Sequence, residues 1–175
     1  DGVVLGSRRL AIIDLSPAGH MPMVDPTGRY GIAYNGEVYN FAEIRDELVA
    51  LGHRFRSTGD TEVVLHAWME WGKACLVRLC GIFAFALHDR ETNEVVLVRD
   101  HYGIKPLYYT ELAGHILFAS EMKTLVRATP EPRVARMSLV EWSLYRNLDA
   151  PTREPRIEGV HAVLPGEVVT VRGGR

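Results

Sequence analysis

Cysteine is scarce in this sequence: Cys75 and Cys80 are the only two in 175 residues, and no CxxC pair or Cys/His ladder surrounds them. A disulfide framework and a structural zinc site are excluded, and reduced thiols are expected. Neither sign of charge is in excess, because 20 Lys and Arg stand against 22 Asp and Glu, spread along the whole length. With no basic block to track phosphates, nucleic acid is not an expected partner. No apolar run approaches the roughly 20 residues of a membrane-spanning helix, and the N-terminus has no charged segment followed by an apolar one. A cytoplasmic location with no membrane partner is expected. Internal repeats and low-complexity tracts are also absent. The first residue is Asp rather than Met, and the strand-like Val3-Val4-Leu5 follows at once, so the chain reads as a segment of a longer product.

What is present suffices for one domain with a cooperative core, since 47% of the residues are hydrophobic. Short runs rich in Val, Ile, Phe and Tyr alternate with turn signals, which predicts a sheet framework. The candidate strands are Val3 to Leu5, Leu10 to Asp14, Tyr30 to Tyr34, Gly81 to His88, Val95 to Arg99, Leu107 to Thr110, Ile116 to Ala119 and Glu167 to Val171. Asp89 to Asn93 and Ala113-Gly114 have hairpin character and imply antiparallel pairing. In the Gly81 strand, large Phe83, Phe85 and Leu87 alternate with small Ala84 and Ala86, so one face is packed and the other closely approached. Helical period appears in three places. Asn40 can cap a helix with Glu43 as its reciprocal partner, and Phe41, Ile44, Leu48 and Leu51 form its stripe before Gly52. A second helix starts at Asp60-Thr61-Glu62, where carboxylates suit the positive end of the dipole, and runs to Trp71. A third is expected from Ser138 to Tyr145.

Two features carry possible chemistry. In Tyr34-Asn35-Gly36-Glu37, the Asn35 carboxamide and the Gly36 N–H could converge on an oxyanion, as hydrolysis of an amide requires. Asn-Gly is also the commonest turn dipeptide, and a plain strand-ending turn is the competing reading. Arg9 and Asp60 could hold the carboxylate and the ammonium of an amino acid. Taken singly, they read as a solvated surface charge and a helix cap.

An ordered succession of motifs goes further. It comprises Arg9-Leu10-Ala11-Ile12-Ile13-Asp14, Ala18-Gly19-His20-Met21-Pro22-Met23, Asn35-Gly36-Glu37-Val38-Tyr39-Asn40 and Gly59-Asp60-Thr61-Glu62-Val63. Gly81-Ile82-Phe83-Ala84-Phe85-Ala86-Leu87, Arg99-Asp100-His101-Tyr102-Gly103-Ile104-Lys105-Pro106-Leu107-Tyr108-Tyr109 and Ala119-Ser120-Glu121-Met122-Lys123 complete it. From about Leu5 to Val126 this resembles the glutamine-hydrolysing amidotransferase domain of the asparagine synthetases. One departure is Met21, where that family usually has Gln.

The resemblance implies an α+β, four-layer αββα fold of the N-terminal-nucleophile hydrolases. Two stacked antiparallel sheets would lie between helical layers, with the first strand upstream of Asp1 and an unpaired edge in its place. Residues 1–155 would form the amidotransferase domain, and 156–175 would begin the connection to a C-terminal synthetase domain. By matching positions, Arg9 would hold the α-carboxylate of L-glutamine and Asp60 its α-ammonium. Asn35 and Gly36 would form the oxyanion hole, while Glu37 and the backbone around Ile12 and Ile13 would add contacts. The family's nucleophile is an N-terminal cysteine whose own amine is the base, and it has no match here, so this segment alone is expected to be inactive. Cys75 and Cys80 read as structural thiols instead, and His20 as structural too. Arg99-Asp100 and Lys105-Pro106 are expected to brace the fold, and Ser120-Glu121 to lie near the synthetase interface. No cofactor or metal is expected in this domain, and Mg-ATP is expected in the synthetase domain; a homodimer is a further expectation. The intact enzyme would pass ammonia from glutamine to aspartate. The alternatives are a related amidotransferase with another acceptor and a non-catalytic glutamine-sensing module.

Overall fold

A computed structural model describes residues 2–8, 14–145 and 156–173. Two antiparallel sheets organise it. The larger runs β1 (Met23–Val24), β2 (Tyr30–Val38), β3 (Gly81–Asp89), β4 (Glu94–Arg99) and β8 (Val168–Arg172), in that order across the sheet. The smaller runs β6 (His115–Ala119), β5 (Tyr108–Leu112) and β7 (Val160–Ala162). Both β7 and β8 fall in the stretch expected to begin a connection, and both are built into the sheets.

Side-chain alternation along β3 separates two cores. Phe83, Phe85 and Leu87 join Ile32, Val96 and Val98 under the helices α1 (Phe41–Ala50) and α2 (Asp60–Trp71). Leu48 of α1 and Val63, Val64 and Leu65 of α2 belong to the same cluster. Each such fully buried side chain contributes about 1.5–3 kcal/mol. On the opposite face Ala84 and Ala86 meet Leu97, Leu107 and Val163, with Tyr109, Ile116 and Phe118 of the smaller sheet packed against them. The helix α3 (Met122–Ala128) packs on the smaller sheet and supplies the buried Leu125, which completes an αββα stack. A fourth helix, α4 (Arg136–Tyr145), follows.

Several local expectations are corrected. Residues Val3 to Leu5 form no strand, although Val3 and Leu5 pack against the inter-sheet cluster. Most of the expected Leu10 to Asp14 strand lies outside the described residues. Asn40 makes no cap bond to α1. Its carboxamide instead donates to Arg78 O at 2.9 Å and accepts from Cys80 N at 2.9 Å, tying the end of β2 to the approach to β3. The Asn35-Gly36 pair is no turn either, because β2 continues through it to Val38. A Cβ on Gly36 would stand 2.3 Å from Ile82 O and 2.5 Å from Phe83 Cα. One on Gly81 would stand 2.2 Å from Glu37 O. The two glycines let β2 and β3 approach more closely than any side chain permits. At the hairpin tip between β5 and β6, Ala113 and Gly114 adopt φ of 51° and 77°, the left-handed pair that a two-residue hairpin turn requires.

Candidate active site

A cleft of about 480 Å³ opens beside β2, and Asn35, Gly36, Glu37 and Asp60 all line it. Small residues make the space: Ala33 from β2 and Ala84 and Ala86 from β3 form part of the wall. Asn35 pairs with Ala84 across the strands, so its exposed carboxamide stands beside a methyl group on the inter-sheet face. It exchanges no hydrogen bond with a described residue. The far wall carries Lys105, Leu107, Phe118, Ser120 and Glu121. Arg9, Ile12 and Ile13 lie outside the described residues, but Arg8 and Asp14, on either side of them, both line the cleft.

The direction of the Gly36 N–H follows from its neighbours. Phe83, opposite Gly36, directs its N–H and its C=O at Asp100 on the β4 side. Val38, two residues along β2, donates its N–H to Asp60 Oδ2 at 3.0 Å. Alternate residues of a strand direct their amides to the same edge, so the Gly36 N–H points outward along the edge that carries Asp60. Two strand residues span about 7 Å. The ammonium nitrogen and amide oxygen of an extended glutamine lie roughly 5–6 Å apart by standard bond lengths. The β2 edge thus carries a backbone donor at Gly36 and, two residues along, the amide that holds the Asp60 carboxylate, a separation on the scale of such a molecule.

Asp60 opens α2 with Gly59 as the residue before it, which puts its carboxylate at the positive end of the helix. The helix itself is moored by Glu62, whose Oε2 accepts from Ser57 N at 2.7 Å and Ser57 Oγ at 2.6 Å. Burial raises the pKa of Glu62, but the Ser57 hydroxyl and the Arg56 and Ser57 amides outweigh it and hold it below the usual value. Asp14 accepts from Ser16 N and Thr58 N, both at 2.8 Å. Its pKa is pulled down to about 2, by Ser16 first and the Thr58 amide next.

One turn along α2, His66 is 2% exposed, with Nδ1 3.1 Å from His53 Nδ1 and Phe55 stacked at 4.7 Å between ring centroids. Burial lowers its pKa. The folded state thus binds a proton less readily than the unfolded chain, where histidine titrates near about 6.5. Stability present above that pH is lost as the pH falls through the lowered value. Thermal unfolding followed from pH 8 to pH 5 should show this loss, and His66→Phe should flatten the profile; an unchanged profile would exclude His66 as the group responsible.

The sequence reading missed Tyr34, Lys105, Ser120 and Glu121 as lining residues. Lys105 had a visible clue in Arg99-Asp100. The Arg99 guanidinium donates to the carbonyls of Lys105, Gly103 and Val163 at 2.8, 2.6 and 2.7 Å. Asp100 pins the Lys105 amide at 2.9 Å, so bracing of that loop presents Lys105 to the cleft. Neither cysteine lines it: Cys75 is fully buried, with burial pushing its pKa up to about 12, and Cys80 is exposed before β3. Met21 is buried on the cleft wall. Among the described residues there is no cluster of three potential metal ligands and no helix long and apolar enough to cross a membrane.

The sequence profile of the glutamine amidotransferase domain matches residues 1–175. The chain belongs to that family. It is 39% identical over 176 residues to asparagine synthetase [glutamine-hydrolyzing] 3 of Bacillus subtilis (strain 168), covering 96% of this chain and 28% of that protein. The amidotransferase domain described here thus spans little more than a quarter of that relative. Among solved structures, it superposes on the allosteric regulatory enzyme of purine biosynthesis with a TM-score of 0.56 and 23% identity, over 67% of this chain and 28% of that one. Glutamine phosphoribosylpyrophosphate amidotransferase from B. subtilis gives a TM-score of 0.52 and 20% identity, over 87% of this chain and 31% of that one. At these identities the likeness is one of fold. The fold is the stacked-sheet α+β fold of the N-terminal-nucleophile amidotransferases.

Proposed function

We propose that this domain binds L-glutamine and hydrolyses its side-chain amide in a longer asparagine synthetase, supplying ammonia for the amidation of aspartate. The observation that carries the reading is that Asn35, Gly36 and Asp60 all line one cleft, with Asp60 held at the Val38 amide, two residues along β2 from the outward Gly36 edge. In this reading Arg9 pairs with the α-carboxylate and Asp60 with the α-ammonium. Glu37 and the backbone at Ile12 and Ile13 add contacts. A cysteine upstream of Asp1 attacks the amide carbon, and Asn35 and the Gly36 N–H donate to the oxyanion. Collapse of that intermediate releases ammonia and leaves a glutamyl thioester, which water clears. The acceptor chemistry, with Mg-ATP, belongs to a C-terminal synthetase domain of the same polypeptide, with residues 156–175 at the start of the passage to it. Relatives named as glutamine-hydrolysing asparagine synthetases support that acceptor. A homodimer in the cytoplasm fits the reading, and the thiols of Cys75 and Cys80 are free, as a reducing compartment would keep them.

The test is Asp60→Asn in the full-length protein. A hydrogen bond to a charged group is worth about 1.5–3 kcal/mol, so the KM for glutamine should rise about 10–100-fold while kcat changes little. Unchanged saturation by glutamine would remove Asp60 from the pocket and the reading with it.

A further inference from the structure

The proposed clamp leaves one buried hydroxyl without a task. Tyr34 is 5% exposed on the helix-facing side of β2, and its hydroxyl donates to Asp60 Oδ2 at 2.8 Å. The Val38 N–H reaches the same oxygen at 3.0 Å. Both donors belong to one strand, whose register with β3 is fixed over nine residues. Two donors on one oxygen set the plane of a carboxylate and turn its other oxygen away.

The other buried aspartates of the fold are satisfied differently. Asp100 takes two backbone amides on each oxygen, from Tyr102 and Ile104 on Oδ1 and from Phe83 and Lys105 on Oδ2. Asp14 takes an amide on each. Asp60, as buried as Asp14 and on the cleft wall, has both bonds on Oδ2, and its Oδ1 accepts none from a described residue. A carboxylate filled on one side only is set for a donor that arrives with the substrate.

We infer that Tyr34 is a positioning residue that holds Asp60 with Oδ1 presented to the cleft, so that the domain selects amides carrying an α-ammonium over those lacking one. The inference rests on the reading of Asp60 as the ammonium acceptor. The competing role is that of an ordinary core phenol: Tyr34 packs with the cluster under α1 and α2, and its hydroxyl would then satisfy itself on the nearest acceptor.

A substrate that lacks the ammonium separates the two. Steady-state ammonia release by the full-length protein from glutamine and from glutaramate, which is glutamine without its α-amino group, gives a ratio of KM values for wild type, Tyr34→Phe and Asp60→Asn. Tyr34→Phe keeps the ring and its packing. It should weaken glutamine about tenfold, the scale of one hydrogen bond to a charged group, and leave glutaramate within about twofold. Equal weakening of both ligands would overturn the inference in favour of a packing role, and so would an unchanged ratio beside a collapsed one in Asp60→Asn. If Asp60→Asn itself preserves the ratio, the ammonium-acceptor reading fails, and the inference falls with it.

Discussion

Asp100→Ala is expected to destabilise the fold by about 3–5 kcal/mol, more than most substitutions in a protein of this size. The reason is the number of groups that depend on one side chain. Asp100 is 0% exposed, and four backbone amides, those of Phe83, Tyr102, Ile104 and Lys105, donate to its two oxygens at 2.9–3.3 Å. Its own backbone continues the sheet, since Asp100 N donates to Phe83 O and Asp100 O accepts from Gly166 N and Gly103 N. A buried amide left without an acceptor costs about 1–3 kcal/mol. Even with water reaching the two or three nearer the surface, the sum exceeds what one truncated side chain normally forfeits. Asp100→Asn tests the same point without a cavity: it keeps the shape but turns an NH2 against two of the amides, so it should lose most of the same stability. Denaturant unfolding of both variants measures it. A loss under about 1 kcal/mol in each would show that the loop holds its course without the carboxylate. The consequence reaches the cleft, because this loop carries Lys105 onto its wall.

How much of this could be read from the residues depended on the range of the interaction. The start of α2 at Asp60 and its end at Trp71 were legible, because the acidic first turn, the apolar period and Gly72 are local signals. So was the two-faced character of β3, since Phe and Ala alternate residue by residue. Asn35-Gly36 was misread as a possible turn for an equally physical reason. The glycine serves the close approach of two paired strands, and the second glycine that permits it, Gly81, stands 45 positions away in sequence. Asn40 obeyed every local rule for a cap, yet its carboxamide bonds to Arg78 and Cys80. Strands as short as Met23–Val24 and Val160–Ala162 are too brief for a period to register. The site followed the same logic. Motif order brought together Asn35, Gly36, Glu37 and Asp60, but nothing local marked Tyr34, whose relation to Asp60 exists only after the chain has folded.

Asn35→Ala should lower kcat for glutamine hydrolysis by the full-length protein about 10²–10³-fold, the usual loss when one oxyanion donor is removed. The carboxamide is exposed, makes no bond to a described residue and stands on a strand held by its own ladder. Stability should therefore change by less than about 0.5 kcal/mol, and the KM should change little, because a group that acts on the developing charge is silent in the ground state. In the proposed reading the residual rate would come from the Gly36 N–H, which mutagenesis of side chains cannot remove because it belongs to the backbone. Adding a side chain at Gly36 would not isolate it either, as the new Cβ would collide with the Ile82 carbonyl. Asn35→Asp is the sharper companion. It preserves size and strand geometry but puts an acceptor where the proposed oxyanion would form, so its kcat should fall at least as far as that of the alanine variant. Steady-state release of ammonia and glutamate in the two variants, with unfolding curves to exclude loss of fold, decides the matter. Turnover within about threefold of wild type in both would refute Asn35 as an oxyanion donor and leave the Gly36 edge to act alone.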